Sequence, residues 1–401
     1  MPKRFTDERS WFHTHRLGLF IHWGIYAIHG IHEQEQWRYG VPAEEYRKLI
    51  HQFNPKQFSP AQWLDFAEEN GFSYLVLTAK HHDGFCLWDT RETDFNVMNT
   101  PFGRDIVGML AEECHRRKFP LELYYSCVDW HHPAYPNLGR HHEIVTDPAG
   151  HSLPRYLEFL KRQVRELCTG YGTIHGIWWD MNVPQHSDPS VNAMIRSLQP
   201  CAVINNRGYD SGDYATPERD YDPESANPEN PGFAGPTEAC QSVGMSSWGY
   251  CADEDYYTSG YFMRRIDLNL VRDGNYLLNI GPDAEGLLPE KPRQIVSRIG
   301  TWFNRVKQAF PPGAEPVELN DRKLLAVRSG ETIFVHCPFG LDSTAISLDP
   351  LTVTPRQVTL LNTGEPVAFD NKETTYRLGQ GKFLRLREIP EVDCPVFEIR
   401  L

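Results

Sequence analysis

The 401 residues predict an α/β protein: a parallel sheet or barrel, then a small antiparallel β-sandwich. Three observations point there. Short β-prone runs alternate with longer amphipathic segments through the first 310 residues, which is the pattern of βα units. The length suits one α/β barrel, which routinely takes about 250 residues, plus one small domain. After Phe310 the chain breaks at PPGAEP and helical periodicity stops.

The candidate strands are LGLFI (Leu17 to Ile21), YLVLTA (Tyr74 to Ala79), LELYYS (Leu121 to Ser126), HGIWW (His175 to Trp179), AVIN (Ala202 to Asn205) and NYLLNI (Asn275 to Ile280). Between them lie helical patterns such as PAEEYRKLIHQF, SPAQWLDFAEENG, RDIVGMLAEECHRRK, LPRYLEFLKRQVRELC and YFMRRIDLNLVRDG. SPAQWLDFAEENG is well punctuated, with Ser59 to cap, Pro60 at the first helical position and Gly71 to end it. Six strands can be counted, so an eight-stranded barrel is an inference that places two more between Gly208 and Ser247. The barrel is expected over 1–312. Residues 313–401, with runs such as ETIFVHCPF and VFEIRL, are expected to form the sandwich.

Composition narrows the function. No apolar run approaches the roughly 20 residues that cross a bilayer, so a soluble protein is expected. The formal net charge of −13 opposes a phosphate backbone and makes nucleic acid an unexpected partner. Nine scattered cysteines without paired spacing, and an N-terminus that adds charge where an export signal needs an apolar stretch, suggest a reducing, cytoplasmic setting. Ten tryptophans, several beside polar residues, suit sugars, whose C–H faces stack while their hydroxyls seek partners.

Each candidate strand runs into chemistry-bearing residues: HWG after the first, KHHDGF after the second, CVDW after the third, then the Asp of WWDMN, NNRG and NIGP. In a barrel those ends share one face, where active sites are built. His81, His82 and Asp83 have the chemistry of a metal site, but neighbouring side chains on a strand point to opposite faces, and no HExxH or CxxC accompanies them. Neither the GxSxG of a serine hydrolase nor the GxGxxG of a dinucleotide enzyme occurs. Carboxylates, imidazoles, an arginine and indoles remain, the inventory of glycoside hydrolysis. Asp83, Asp129, Asp180, Glu218, Glu238 and Asp267 all stay open as the two carboxylates it needs.

GLFIHWG, LTAKHHDGFCLWDTRETDFN, RDIVGML, LELYYSCVDW, HGIWWD, DYATPE, SSWGY and NYLLNIGPDAEGLLP, in this order, resemble the α-L-fucosidases of glycoside hydrolase family 29. The resemblance covers essentially the first 310 residues. It implies a (β/α)8-like barrel followed by a β-sandwich, and a retaining exo-glycosidase that removes terminal α-L-fucose from an oligosaccharide or glycoconjugate without metal or organic cofactor. By the same resemblance Asp180 is the nucleophile and Glu218 the acid/base, with Glu238 in reserve. The fucose-holding positions carry over to His22, His81, His82, Tyr124, Trp178 and Arg207. Many relatives carry a Glu-Trp pair where this chain has Gln36-Trp37, and an amide lacks the carboxylate's charge and purely accepting character. A sugar-binding relative with weak turnover, or an α-glycosidase for a similar sugar such as α-L-galactose, is the alternative.

Overall fold

The computed structural model describes residues 4–182, 185–219, 233–349, 351, 355–370, 383–386 and 389–401. Seven strands, β1 (Leu17–Ile21), β2 (Tyr74–Lys80), β3 (Leu121–Ser126), β4 (Gly176–Asp180), β5 (Val203–Ile204), β6 (Glu238–Ser242) and β7 (Asn275–Ile280), form one curled sheet in the order β5-β4-β3-β2-β1-β7-β6. Every pairing in it is parallel. Helices α1 (Glu35–Arg38), α2 (Ala43–Arg47), α3 (Pro60–Glu69), α4 (Ile106–Arg117), α5 (Leu153–Gly170), α6 (Pro189–Leu198), α7 (Ser259–Leu270) and α8 (Glu290–Val306) connect and cover the strands. Punctuation sets their ends. In α3 the Ser59 side chain accepts from the Gln62 N–H, Pro60 needs no partner for its missing donor, and Gly71 turns the chain at φ +80°. PAEEYRKLIHQF divides into α2 and a 3₁₀ turn, Lys48–His51.

Where eight strands are expected, the curled parallel sheet has seven among the described residues. One of the two strands sought between Gly208 and Ser247 exists, as β6. The other is not found among the described residues, where residues 213–217 run between the sheet edges β5 and β6 and make isolated parallel bridges, Asn205 with Tyr214 and Ala215 with Thr237. Glu238 donates its N–H to Ala215 O (2.9 Å) and Cys240 to Pro217 O (3.0 Å). Pro217 and Pro236 have no N–H for a ladder, so the segment lies along β6 without becoming a strand. It nevertheless fixes the chain that carries Glu218.

Beyond the curled sheet, β8 (Glu315–Val317), β9 (Leu325–Ser329), β10 (Thr332–His336), β12 (Gln357–Leu360), β13 (Glu365–Pro366) and β16 (Val396–Arg400) make an antiparallel sheet in the order β13-β12-β16-β10-β9-β8. A three-stranded sheet of β11 (Ala345–Ser347), β15 (Phe383–Arg385) and β14 (Phe369–Asp370) faces its core. Alternation divides β10 cleanly: Ile333 and Val335 pack into that core, whereas Phe334 joins the cluster of α8 residues that includes Trp302 and Val306.

Candidate active site

The site gathers at the C-terminal ends of β1 to β4 and the segments after β5. The ladder between β2 and β3 shifts register between Thr78 and Lys80, and the strand stops. His81 and His82 follow in the turn, where strand alternation no longer separates them, and both line one pocket with ring centroids 4.0 Å apart. Their flanking residues turn away from it. Lys80 is fully buried and donates to Asp129 Oδ2 (2.7 Å) and Tyr156 Oη (3.2 Å). Asp83 accepts from the Phe85 N–H (3.0 Å) and Tyr46 Oη (2.9 Å), and Gly84 completes the turn at φ +82°.

The network fixes the imidazole tautomers. Asn279 spends its amide N–H groups on Ser242 Oγ and Trp248 O, so its oxygen accepts and His22 Nδ1–H is the donor, at 2.7 Å. Ser126 Oγ donates to Val128 O and therefore accepts from His82 Nδ1–H, also at 2.7 Å. Burial lowers both imidazoles to about 4, outweighing nearby carboxylates, so both are neutral near pH 7 with Nε2 left as an acceptor. His82 Nε2 lies 3.9 Å from Asp180 Oδ2.

Asp180 is the last residue of β4. Tyr124 on β3 donates to its Oδ2 (2.8 Å) and Arg207 Nη1 to its Oδ1 (3.2 Å). Burial works to raise its pKa, but the Arg207 guanidinium and the Tyr124 hydroxyl outweigh it and hold the carboxyl below the usual range. Arg207 is itself clamped by Thr216, through Nε to Oγ1 (2.7 Å) and Nη2 to the carbonyl (2.9 Å), and lies 4.9 Å over the Trp178 ring. Its Nη1 also meets Glu218 Oε2 at 2.6 Å. Two carboxylates that share one guanidinium nitrogen bring their nearest oxygens within about 6 Å of each other.

Trp178 and Tyr124 stack at 5.6 Å and 18° as the pocket floor. Trp248 stands opposite, 5.1 Å from the His22 ring, and Phe20, Gln34, His142 and Met181 complete the lining. Glu33 ties two of these loops together: its Oε2 accepts from Ser247 Oγ (2.5 Å) and the N–H groups of Trp248 (2.9 Å) and Gly249 (3.2 Å). Two buried polar atoms of lining residues, His81 Nδ1 and Gln34 Oε1, have no partner among the described residues. A pocket that combines neutral imidazoles, unpaired polar atoms and indole faces suits a ring with hydroxyls on its edge and C–H groups on its faces.

A curled parallel sheet that brings paired carboxylates into such a pocket defines a glycoside hydrolase. Comparison with known proteins specifies which. The α-L-fucosidase family profile matches residues 3–308. Tissue α-L-fucosidase of Homo sapiens is 24% identical over alignments covering 98% of this chain and 90% of that protein, and the Rattus norvegicus protein 26% identical over 73% and 67%. Among solved structures, α-L-fucosidase isoenzyme 1 from Paenibacillus thiaminolyticus superposes with a TM-score of 0.89 at 30% identity, over 98% of this chain and 99% of that one. A GH29 α-L-fucosidase from Bacteroides thetaiotaomicron, trapped as a covalent intermediate, gives 0.83 at 28% identity over 99% and 97%. The chain belongs to the α-L-fucosidase family.

Of the residues singled out in the sequence, His22, His81, His82, Tyr124, Trp178, Asp180, Arg207 and Glu218 converge on this pocket. Gln36, Trp37 and Glu238 do not line it. Gln36 and Trp37 lie on α1, where Trp37 packs edge-on against His141 and His142 (5.3 and 4.8 Å); Gln34, just ahead of the helix, reaches the pocket instead. Glu238 opens β6, paired with Asn275 at the start of β7, so it enters the sheet interior at the end opposite the pocket. Sequence reasoning also missed Phe20, Gln34, His142, Met181 and Trp248 as lining residues. SSWGY, a tryptophan among small polar residues after β6, was the available signal for Trp248. Met181 offered none beyond adjacency to Asp180.

Proposed function

We propose that the protein is a retaining, exo-acting α-L-fucosidase that releases terminal α-L-fucose from oligosaccharides or glycoconjugates. The observation that carries this reading is the pair of carboxylates joined through Arg207, whose facing oxygens lie within about 6 Å of each other, close enough to suit the roughly 5–5.5 Å of retaining enzymes. Asp180, kept ionised by Arg207 and Tyr124, attacks the anomeric carbon, and Glu218 gives its proton to the departing oxygen. The C–O bond to the aglycone breaks as the fucosyl–Asp180 bond forms. Glu218, now a base, takes a proton from water, which attacks the same carbon, frees Asp180 and restores the anomeric configuration. The neutral His22 and His82 accept from sugar hydroxyls, and such bonds speed the reaction when they tighten as charge develops on the ring.

Purified protein is expected to release 4-nitrophenol from its α-L-fucoside, with the α anomer seen first by proton NMR. Asp180→Ala is expected to lower kcat by at least about a thousandfold while the protein stays folded. Azide is expected to rescue Glu218→Ala on this activated substrate by forming a fucosyl azide. A first-formed β anomer, or wild-type rates in Asp180→Ala, contradicts the mechanism.

A further inference from the structure

Two carboxyl groups that this chemistry leaves unused, Glu122 of β3 and Glu238 of β6, are fully buried inside the curled sheet beneath the pocket. Tyr74, Tyr214, Cys240 and Trp178 surround them. The two are unequally served. Glu238 accepts from Tyr74 Oη at Oε2 (2.5 Å) and from Trp178 Nε1 at Oε1 (3.0 Å). Among the described residues Glu122 has one long contact, from Tyr214 Oη at 3.4 Å, and its Oε1 has no partner. Burial raises both carboxyls, and the neighbouring Glu238 drives Glu122 further. The proton therefore resides on Glu122 and the charge on Glu238, where two donors meet it.

The indole held from below by Glu238 carries Arg207 on its upper face, and Arg207 in turn contacts both Asp180 and Glu218. Trp178 also stacks on Tyr124, the donor to Asp180. We propose that Glu238 is a positioning residue: by accepting the Trp178 indole N–H it fixes the ring on which Arg207 rests, and through Arg207 it sets the placement of Asp180 and Glu218. This inference rests on the fucosidase reading for its kinetic consequences. Without Glu238, the indole N–H and the Tyr74 hydroxyl are both buried without a partner, and the ring is free to tilt. A carboxylate against the indole N–H also enriches the ring face that attracts the guanidinium.

The test compares Glu238→Gln, Glu238→Leu, Trp178→Phe and the Glu238→Leu/Trp178→Phe double variant on 4-nitrophenyl α-L-fucoside. In Glu238→Gln the amide oxygen still accepts from the indole, and the Tyr74 hydroxyl rotates to accept from the amide, so at least about a third of kcat/KM is expected to remain. Glu238→Leu is expected to lose at least about tenfold, and the double variant no more than the worse single change, because both break one link. Azide is expected to rescue none of them. Azide rescue of Glu238→Leu, equal losses in the Gln and Leu variants, or multiplied losses in the double variant overturns the proposal. The link is read independently from the indole 15N–1H signals, with that of Trp178 identified as the one absent in Trp178→Phe. That signal and the Arg207 Nε–H signal are expected to move in Glu238→Leu and far less in Glu238→Gln. If wild-type protein hydrolyses no fucoside, the functional reading fails and these signals alone decide the coupling. If both stay fixed in Glu238→Leu, the coupling is absent.

Discussion

Lys80, Asp83 and Asp129 show how a cluster of charges disappears behind a pocket wall. One ammonium cannot neutralise two buried carboxylates. Asp129, 2.7 Å from Lys80 Nζ and accepting the N–H groups of His131 and His132, is held below its usual pKa despite burial, whereas burial pushes Asp83 up to about 7. Asp83 is therefore the member that carries the proton. Its folded pKa exceeds the ordinary aspartate value of 3.8, so the stability this proton provides is complete below the unfolded pKa and is lost as pH rises through the folded one. Asp83→Asn, which mimics the protonated form toward Tyr46 and Phe85, is expected to match wild type in Tm near pH 4. Its advantage is expected to grow until about pH 7 and to stay constant above that, at a few kcal/mol. A Tm difference that does not change with pH removes the assignment. The residue types of KHHDGF were readable in the sequence; their directions were not, because these depend on a register shift between two strands far apart in the chain.

The same contrast holds for whole elements. β1, β2, β3 and β7 were legible because they are predominantly apolar, β-prone runs, the pattern of parallel strands buried on both faces. β6 was not, since EACQS carries its polarity inward, with Glu238 and Gln241 both buried. What the runs could not show is how their side chains share the interior. Gly18 pairs with Tyr74 across β1 and β2, and Gly176 pairs with Glu122 across β3 and β4. A Cβ on Gly18 would strike the Tyr74 ring, and one on Gly176 would strike the Glu122 carboxyl. Each glycine thus makes room for a large neighbour that crosses the interior. Gly18→Ala is expected to cost about 1–3 kcal/mol in urea unfolding, as overpacking does, and to displace the Tyr74 hydroxyl from Glu238. An unchanged midpoint would show that the ring shifts aside without loss.

Across the whole molecule, the curled sheet and the antiparallel sheets are joined by polar as well as apolar contacts. His336 on β10 donates from Nδ1 to Asp267 Oδ1 on α7 at 2.7 Å, and both side chains are fully buried. Nearby, Trp302 on α8 donates to Cys394 O at 3.2 Å, and the Phe310 ring lies 5.0 Å from His336. Asp267, one of the six carboxylates open in the sequence, thereby belongs to the junction and not to the pocket. Its second oxygen and His336 Nε2 have no partner among the described residues, so the pair is incompletely satisfied there. Breaking such a pair is costlier than replacing it, because a single deletion strands a buried polar or charged group while an apolar pair strands none. His336→Leu and Asp267→Leu are each expected to lower stability by about 3–5 kcal/mol, and the double Leu variant to recover most of that loss. Denaturant unfolding, followed by tryptophan fluorescence and by calorimetry, measures both quantities. If the single variants lose less than about 1 kcal/mol, or the double variant loses the sum of both, the contact does not join the two parts as a pair and their cohesion rests on the apolar packing of Phe334, Trp302 and Val306.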